Sequence, residues 1–156
     1  MRPGSGTLTP FLATPSIEGA PMFSPDGRAV AYVSNETGRN EIHVRAFPGP
    51  GERLTITNQG GNEPFWAPNG RELFYRNGDA MMAVEVTTSP TLQAGTPRRL
   101  FEKHYEASFA LYANYSVSSD GRRFLMVKRT SESESPSQIN VFVNWLEELK
   151  RATGSR

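Results

Sequence analysis

Over residues 41–47 apolar and polar side chains alternate, with Ile42, Val44 and Ala46 on one side and His43, Arg45 and Phe47 on the other. A period of two marks a pleated strand packed against a neighbouring layer. Similar short apolar runs recur along the chain and predict strands over 20–23, 29–34, 41–47 and 53–57, then 63–66, 72–75, 81–86 and 98–101, then 114–117, 124–128 and 139–143. Polar or Gly/Pro-rich turns divide them, and 90–97 reads as a long outer loop. The third group is followed by a different pattern. Asn144 and Glu147 stand at capping-box spacing around Trp145, with Leu146 and Leu149 completing an apolar stripe, which predicts a short helix over 144–151. Residues 8–13 form an apolar stretch ahead of the first group and are expected to be an extra outer strand. Residues 1–7 and 152–156 are expected to be disordered tails.

A short unit repeats at the head of each group. It reads Phe23-Ser24-Pro25-Asp26-Gly27-Arg28, then Trp66-Ala67-Pro68-Asn69-Gly70-Arg71, then Val117-Ser118-Ser119-Asp120-Gly121-Arg122. Glycine enters positive φ without the penalty of a Cβ, and Asp or Asn bonds the backbone just beyond it, so each unit closes a tight hairpin. Pro25 and Pro68 preset φ at the turn's entry, and Ser119 replaces that proline in the third copy. Asp26, Asn69 and Asp120 recur at spacings of 43 and 51 residues, close to the roughly 40 to 50 of a four-stranded propeller blade. The expected fold is therefore all-β: a partial β-propeller of three four-stranded antiparallel blades over 18–58, 59–102 and 113–143. Propellers close with roughly four to eight blades, so three blades call for companions, either further blades or a second copy of the chain.

Composition supports this reading and removes alternatives. The 14 glycines and 12 prolines among 156 residues suit many short strands joined by turns. With 17 Lys and Arg against 16 Asp and Glu, the net charge of +1 supplies no field to gather nucleic acid or an anionic membrane surface. The absence of cysteine excludes disulfides, thiolate metal sites and cysteine nucleophiles. No apolar run reaches the roughly 18 to 20 residues that span a bilayer, so no membrane insertion by this segment is expected.

Chemistry is sparse. His43 and His104 share no metal-ligand spacing and are read as surface or edge-strand residues. Asp26, Asn69 and Asp120 sit in separate turns, which favours capping over calcium binding, and Gly27, Gly70 and Gly121 are their structural partners. No Gly-x-Ser-x-Gly elbow, phosphate-binding loop or kinase catalytic loop occurs, so no catalytic, cofactor-binding or metal-binding residue is assigned and no enzyme activity is expected. The acidic run 131–135 reads as a solvated hairpin loop. The connection 104–115 is rich in aromatics, and Tyr105, Phe109 and Tyr112 there are candidate partner-binding residues because rigid rings bury much area at little entropic cost. Their alternative role is to plug the gap between the second and third blades. Trp66 and Trp145 read as core.

The turn Ser24-Pro25-Asp26-Gly27 resembles the WD40-like repeat of TolB-type β-propellers. Beyond the turns, residues 10–14, the stretch Arg71-Glu72-Leu73-Phe74-Tyr75 and residues 140–150 resemble the C-terminal propeller regions attached to bacterial serine/threonine protein kinases. The resemblance covers residues about 8 to 151. It implies a sensory or protein-binding output domain within a larger bacterial protein, and a periplasmic or extracytoplasmic location where such a region is attached to a membrane-anchored kinase. It carries over no catalytic residue. The alternative is the substrate-gating propeller fragment of a prolyl-oligopeptidase-like hydrolase.

Overall fold

A computed structural model describes residues 9–49, 51–108 and 112–128. These residues form β-strands joined by turns, in three successive antiparallel sheets. The first is a meander of β1 (Glu18–Phe23), β2 (Ala29–Ser34), β3 (Glu41–Ala46) and β4 (Arg53–Thr55). The second orders β5 (Asn62–Trp66), β6 (Glu72–Asn77) and β7 (Ala80–Thr87), with β8 (Gln93–Ala94) and β9 (Arg98–Glu102) both pairing with β7. The third begins with the hairpin of β10 (Tyr115–Val117) and β11 (Phe124–Met126). The fold is all-β, built of blade-like sheets stacked in chain order.

The three corners share one backbone pattern. Ser24 donates its N–H to Ala29, Ala67 to Glu72 and Ser118 to Arg123, and Gly27, Gly70 and Gly121 each bond back three residues. Those glycines hold φ near +70°, a region that carries a penalty for any residue with a Cβ. The inner strands repeat a second feature. β1 and β5 each shift register once, and Ala20 and Glu63 stand there at φ 51° and 56°.

Register settles which faces meet. Val33↔Ile42 and Ala31↔Val44↔Leu54 place one apolar row on the face of the first sheet turned to the second. Trp66, Leu73, Tyr75, Val84 and Val86 answer from the second sheet, and together they form the main core. Trp66 is 2% exposed and its Nε1 donates to the Met22 carbonyl at 3.1 Å. The opposite face of the second sheet meets the third through Phe74, Met81, Ala83 and Tyr115, with Phe65, Phe101 and Phe124 packed around them. The second sheet is thus apolar on both faces.

Four expectations are corrected. Residues 9–13 form no strand; Phe11 instead turns its ring against Phe47, 5.9 Å between centroids, beside Gly49. The outer loop 90–97 contains β8, so the fourth-strand position of the second sheet is split, and Leu92 from this excursion reaches the core at 6% exposure. His43 is not a surface histidine: β3 lies between β2 and β4, and its ring is fully buried. The predicted strands 53–57 and 124–128 end at Thr55 and Met126. The predicted strand 139–143, helix 144–151, Trp145, the acidic run 131–135 and both tails lie outside the described residues.

Candidate interaction surface

At the corners the carboxylate and amide side chains serve the backbone. Asp26 Oδ1 accepts from the Arg28 N–H at 3.1 Å, Asn69 Oδ1 from Arg71 at 2.9 Å and Asp120 Oδ1 from Arg122 at 3.0 Å. In the first and third copies the serine hydroxyl also donates to the aspartate. The Ser24 hydroxyl, then that of Thr88, holds the Asp26 carboxyl below its usual range, and Ser118 with the Arg122 amide does the same for Asp120. Gly70 lies against the Pro25 ring, so the first two corners adjoin. Beside them opens a polar cleft of about 650 Å³ between Asn69–Glu72 and Glu85–Ser89.

The connections between sheets are latched by buried charges. Glu41, 1% exposed, accepts from Thr57, from the Gly60 N–H and from Arg39 Nε at 2.6 Å, which ties down the 56–61 crossing. Burial pushes its carboxyl up, but the bonds from Thr57, Arg39 and Gly60 outweigh this and hold it below the ordinary value. The second crossing uses Glu63 and Arg76. Glu63 accepts from the Ser108 N–H at 3.0 Å and the Asn114 N–H at 2.9 Å, while its own carbonyl accepts from the Tyr115 hydroxyl at 2.9 Å. Arg76 donates to the carbonyls of Glu106, Tyr105 and Gly78. Of the three aromatics expected to meet a partner, Tyr105 is half-buried edge-on to Phe101 at 6.3 Å. Tyr112 is 62% exposed, and Phe109 lies outside the described residues. His104 is exposed and pairs with Asp79 at 3.1 Å.

The first sheet's outward face, turned away from the second sheet, is different in kind. The registers Phe23↔Val30↔Arg45↔Arg53 and Tyr32↔His43↔Thr55 place these residues in two rows across it. Tyr32 and His43 pack ring to ring at 5.5 Å, and Arg53 pairs with Glu36 at 2.7 Å. The His43 Nδ1 lies 3.3 Å from the Thr55 hydroxyl, and its Nε2 is 3.8 Å from Glu36. Burial, then Arg53, pushes the His43 pKa down. Burial raises that of Tyr32, against the pull of Arg53 and Arg45. Among the described residues, His43 Nε2 and Arg45 Nε are buried here without a hydrogen-bond partner, while the Tyr32 hydroxyl lies beside Arg53. Phe23, edge-on to Phe47 at 4.9 Å, borders the rows and is 54% exposed. The sequence pattern marked this strand as two-faced but gave no sign that its polar face would be buried.

No protein-family model matches the chain, and no curated protein matches it. Among solved structures the chain is similar to TolB from Acinetobacter baumannii, at 21% identity and a TM-score of 0.38. That match covers 79% of this chain and 40% of TolB, so the chain spans well under half the length of that protein.

Proposed function

We propose that this chain is a non-catalytic β-propeller segment that acts as a protein-interaction scaffold within a larger bacterial assembly, its end sheets taking up further polypeptide. One contrast carries the reading. Trp66 and Phe23 hold the same place in successive copies of the corner unit, each the large residue before the turn. Trp66 is 2% exposed because the first sheet covers it, whereas Phe23 is 54% exposed. At the other end of the stack Leu125 and Val127 are 75% and 49% exposed. Both ends of the stack thus leave large apolar side chains in water, where apolar surface on soluble proteins serves contact. The partner is the remaining blades, a second copy or another protein. Sedimentation velocity over a wide dilution series tests it. Reversible association that weakens in the double variant Phe23→Ser, Leu125→Ser supports the scaffold. A monomer at every concentration, with amide exchange in β2 and β11 as slow as in β6, overturns it.

A further inference from the structure

We propose that residues 9–13 are a displaceable strap that closes the outward face of the first sheet in the place of a preceding sheet, and that its release admits further polypeptide to that face. The second half rests on the scaffold reading; the strap itself does not.

The repeat fixes which side of each sheet turns back along the stack. Counted from the corner glycines, Val30 and Tyr32 correspond to Leu73 and Tyr75 in the second sheet and to Phe124 and Met126 in the third. Leu73 and Tyr75 pack on the first sheet, and Phe124 and Met126 pack on the second. Among the described residues no sheet precedes the first. Val30 and Tyr32 are nevertheless 4% and 2% exposed, as closed as Leu73 and Tyr75 at 0% and 3%.

Residues 9–13 lie in that place. Phe11 and Leu12, both half-buried, face Gly19, Pro21, Val30 and Tyr32 across a cavity of about 230 Å³. Downstream the chain is pinned: Ile17 donates its N–H to Asn35 Oδ1 at 2.8 Å and its carbonyl accepts from the Asn35 N–H at 3.2 Å, while the Thr14 hydroxyl donates to Glu18. The grip is therefore uneven. Residues 14–18 hold by hydrogen bonds, whereas 9–13 form no strand and hold through the side chains of Phe11 and Leu12. A void beneath the cover forgoes packing contact that a close-packed sheet interface supplies, and Phe23 and Phe47 beside it stay 54% and 40% exposed. Regions with few buried apolar contacts open at lower free energy than the core. A sheet laid on this face would bury Phe23 as the first sheet buries Trp66, and it would compete with the strap for Val30 and Tyr32. Whatever binds the open state better shifts the population toward it.

The chain has no cysteine, so a single introduced thiol reports exposure in the full chain. Val30→Cys places it beneath the strap, and Val84→Cys, at a site 1% exposed between the first two sheets, is the core control. Thiol labelling is expected to be faster for Val30→Cys than for Val84→Cys, and about tenfold or more faster again when Phe11→Ser loosens the strap, with Val84→Cys unmoved. On sedimentation Phe11→Ser is expected to associate at lower concentration than the parent. If Val30→Cys does not fold, the His43 ring, packed on Tyr32 at 5.5 Å, is read by NMR instead: Phe11→Ser should shift its signals and leave those of His104 in place. Labelling of Val30→Cys that Phe11→Ser does not change, or a His43 signal indifferent to it, overturns the strap. So does a parent chain that associates as readily as Phe11→Ser. A chain that stays monomeric in both forms while Phe11→Ser opens Val30→Cys to labelling ends the scaffold reading and leaves the strap standing as a local cover.

Discussion

Ser24 and Asp26 show how little sequence a corner needs. The serine hydroxyl donates to the Asp26 carboxylate and accepts from the Ala29 amide, and the same carboxylate takes the Arg28 amide. Gly27 then supplies φ of 70°. Because nothing crowds a Cβ at Gly27 or Gly121, Gly→Ala at either corner tests backbone conformation alone and is expected to lower unfolding free energy by about 1 to 2 kcal/mol in urea titrations. His43 poses the opposite case, since its state is set first by burial and next by Arg53, against the pull of Glu36 and Glu41. In the unfolded chain its pKa returns to the ordinary 6.5, whereas in the fold it is lowered. Between those values the unfolded state binds the proton and the folded state does not, so its contribution is complete above about pH 6.5 and falls away as pH drops through the window. Glu36 and Glu41 are held below their ordinary 4.5, so their contribution is lost only at lower pH. The melting temperature is therefore expected to decline from about pH 7 to about pH 5. His43→Gln should flatten that decline; a slope that survives His43→Gln would contradict the assignment.

At the scale of elements, the strands and their corners were legible because their determinants are local. The run 29–34 and the alternation from 41 are each set by neighbours in sequence, and β2 spans the residues expected of it. Residues 9–13 show the limit of such reading. An apolar stretch of that length suits a strand, but an edge to pair with decides the matter, and Phe11 found Phe47 instead. The buried charges were illegible for the same reason. Glu63 reads as a polar start to an inner strand, yet it is 1% exposed and bonds Ser108 and Asn114 from the far end of the next connection. Only the assembled fold brings those amides to it. Glu63→Ala removes the carboxylate that accepts from the Ser108 and Asn114 amides and so the anchor of the crossing, at an expected cost of about 1 to 3 kcal/mol. Hydrogen exchange should quicken at Ser108 and Asn114 while β2 and β3 stay protected; uniform quickening across the sheets would point to global loss instead.

For the whole molecule, a central sheet apolar on both faces lies between two neighbours, and the residue ahead of the corner is sealed in the central sheet at Trp66 but 54% exposed in the first sheet at Phe23. That asymmetry gives the same repeat position two different energetic weights. Trp66 lies inside the main core and holds the Met22 carbonyl, so Trp66→Ala is expected to cost about 3 to 5 kcal/mol, the range of large aromatic truncations in packed cores. Phe23 leaves about half its surface in water and touches Phe47 along one edge. Phe23→Ala should therefore cost about 1 kcal/mol or less in the dilute chain, since the stabilisation scales with the apolar area withdrawn from water. Raising the concentration until the chain associates covers the outward face, and the Phe23→Ala penalty measured by urea unfolding should then grow toward that of Trp66→Ala by linkage between folding and assembly. If the two penalties keep their separation at every concentration, whatever associates does not cover Phe23, and the first sheet's outward face is not where this stack continues.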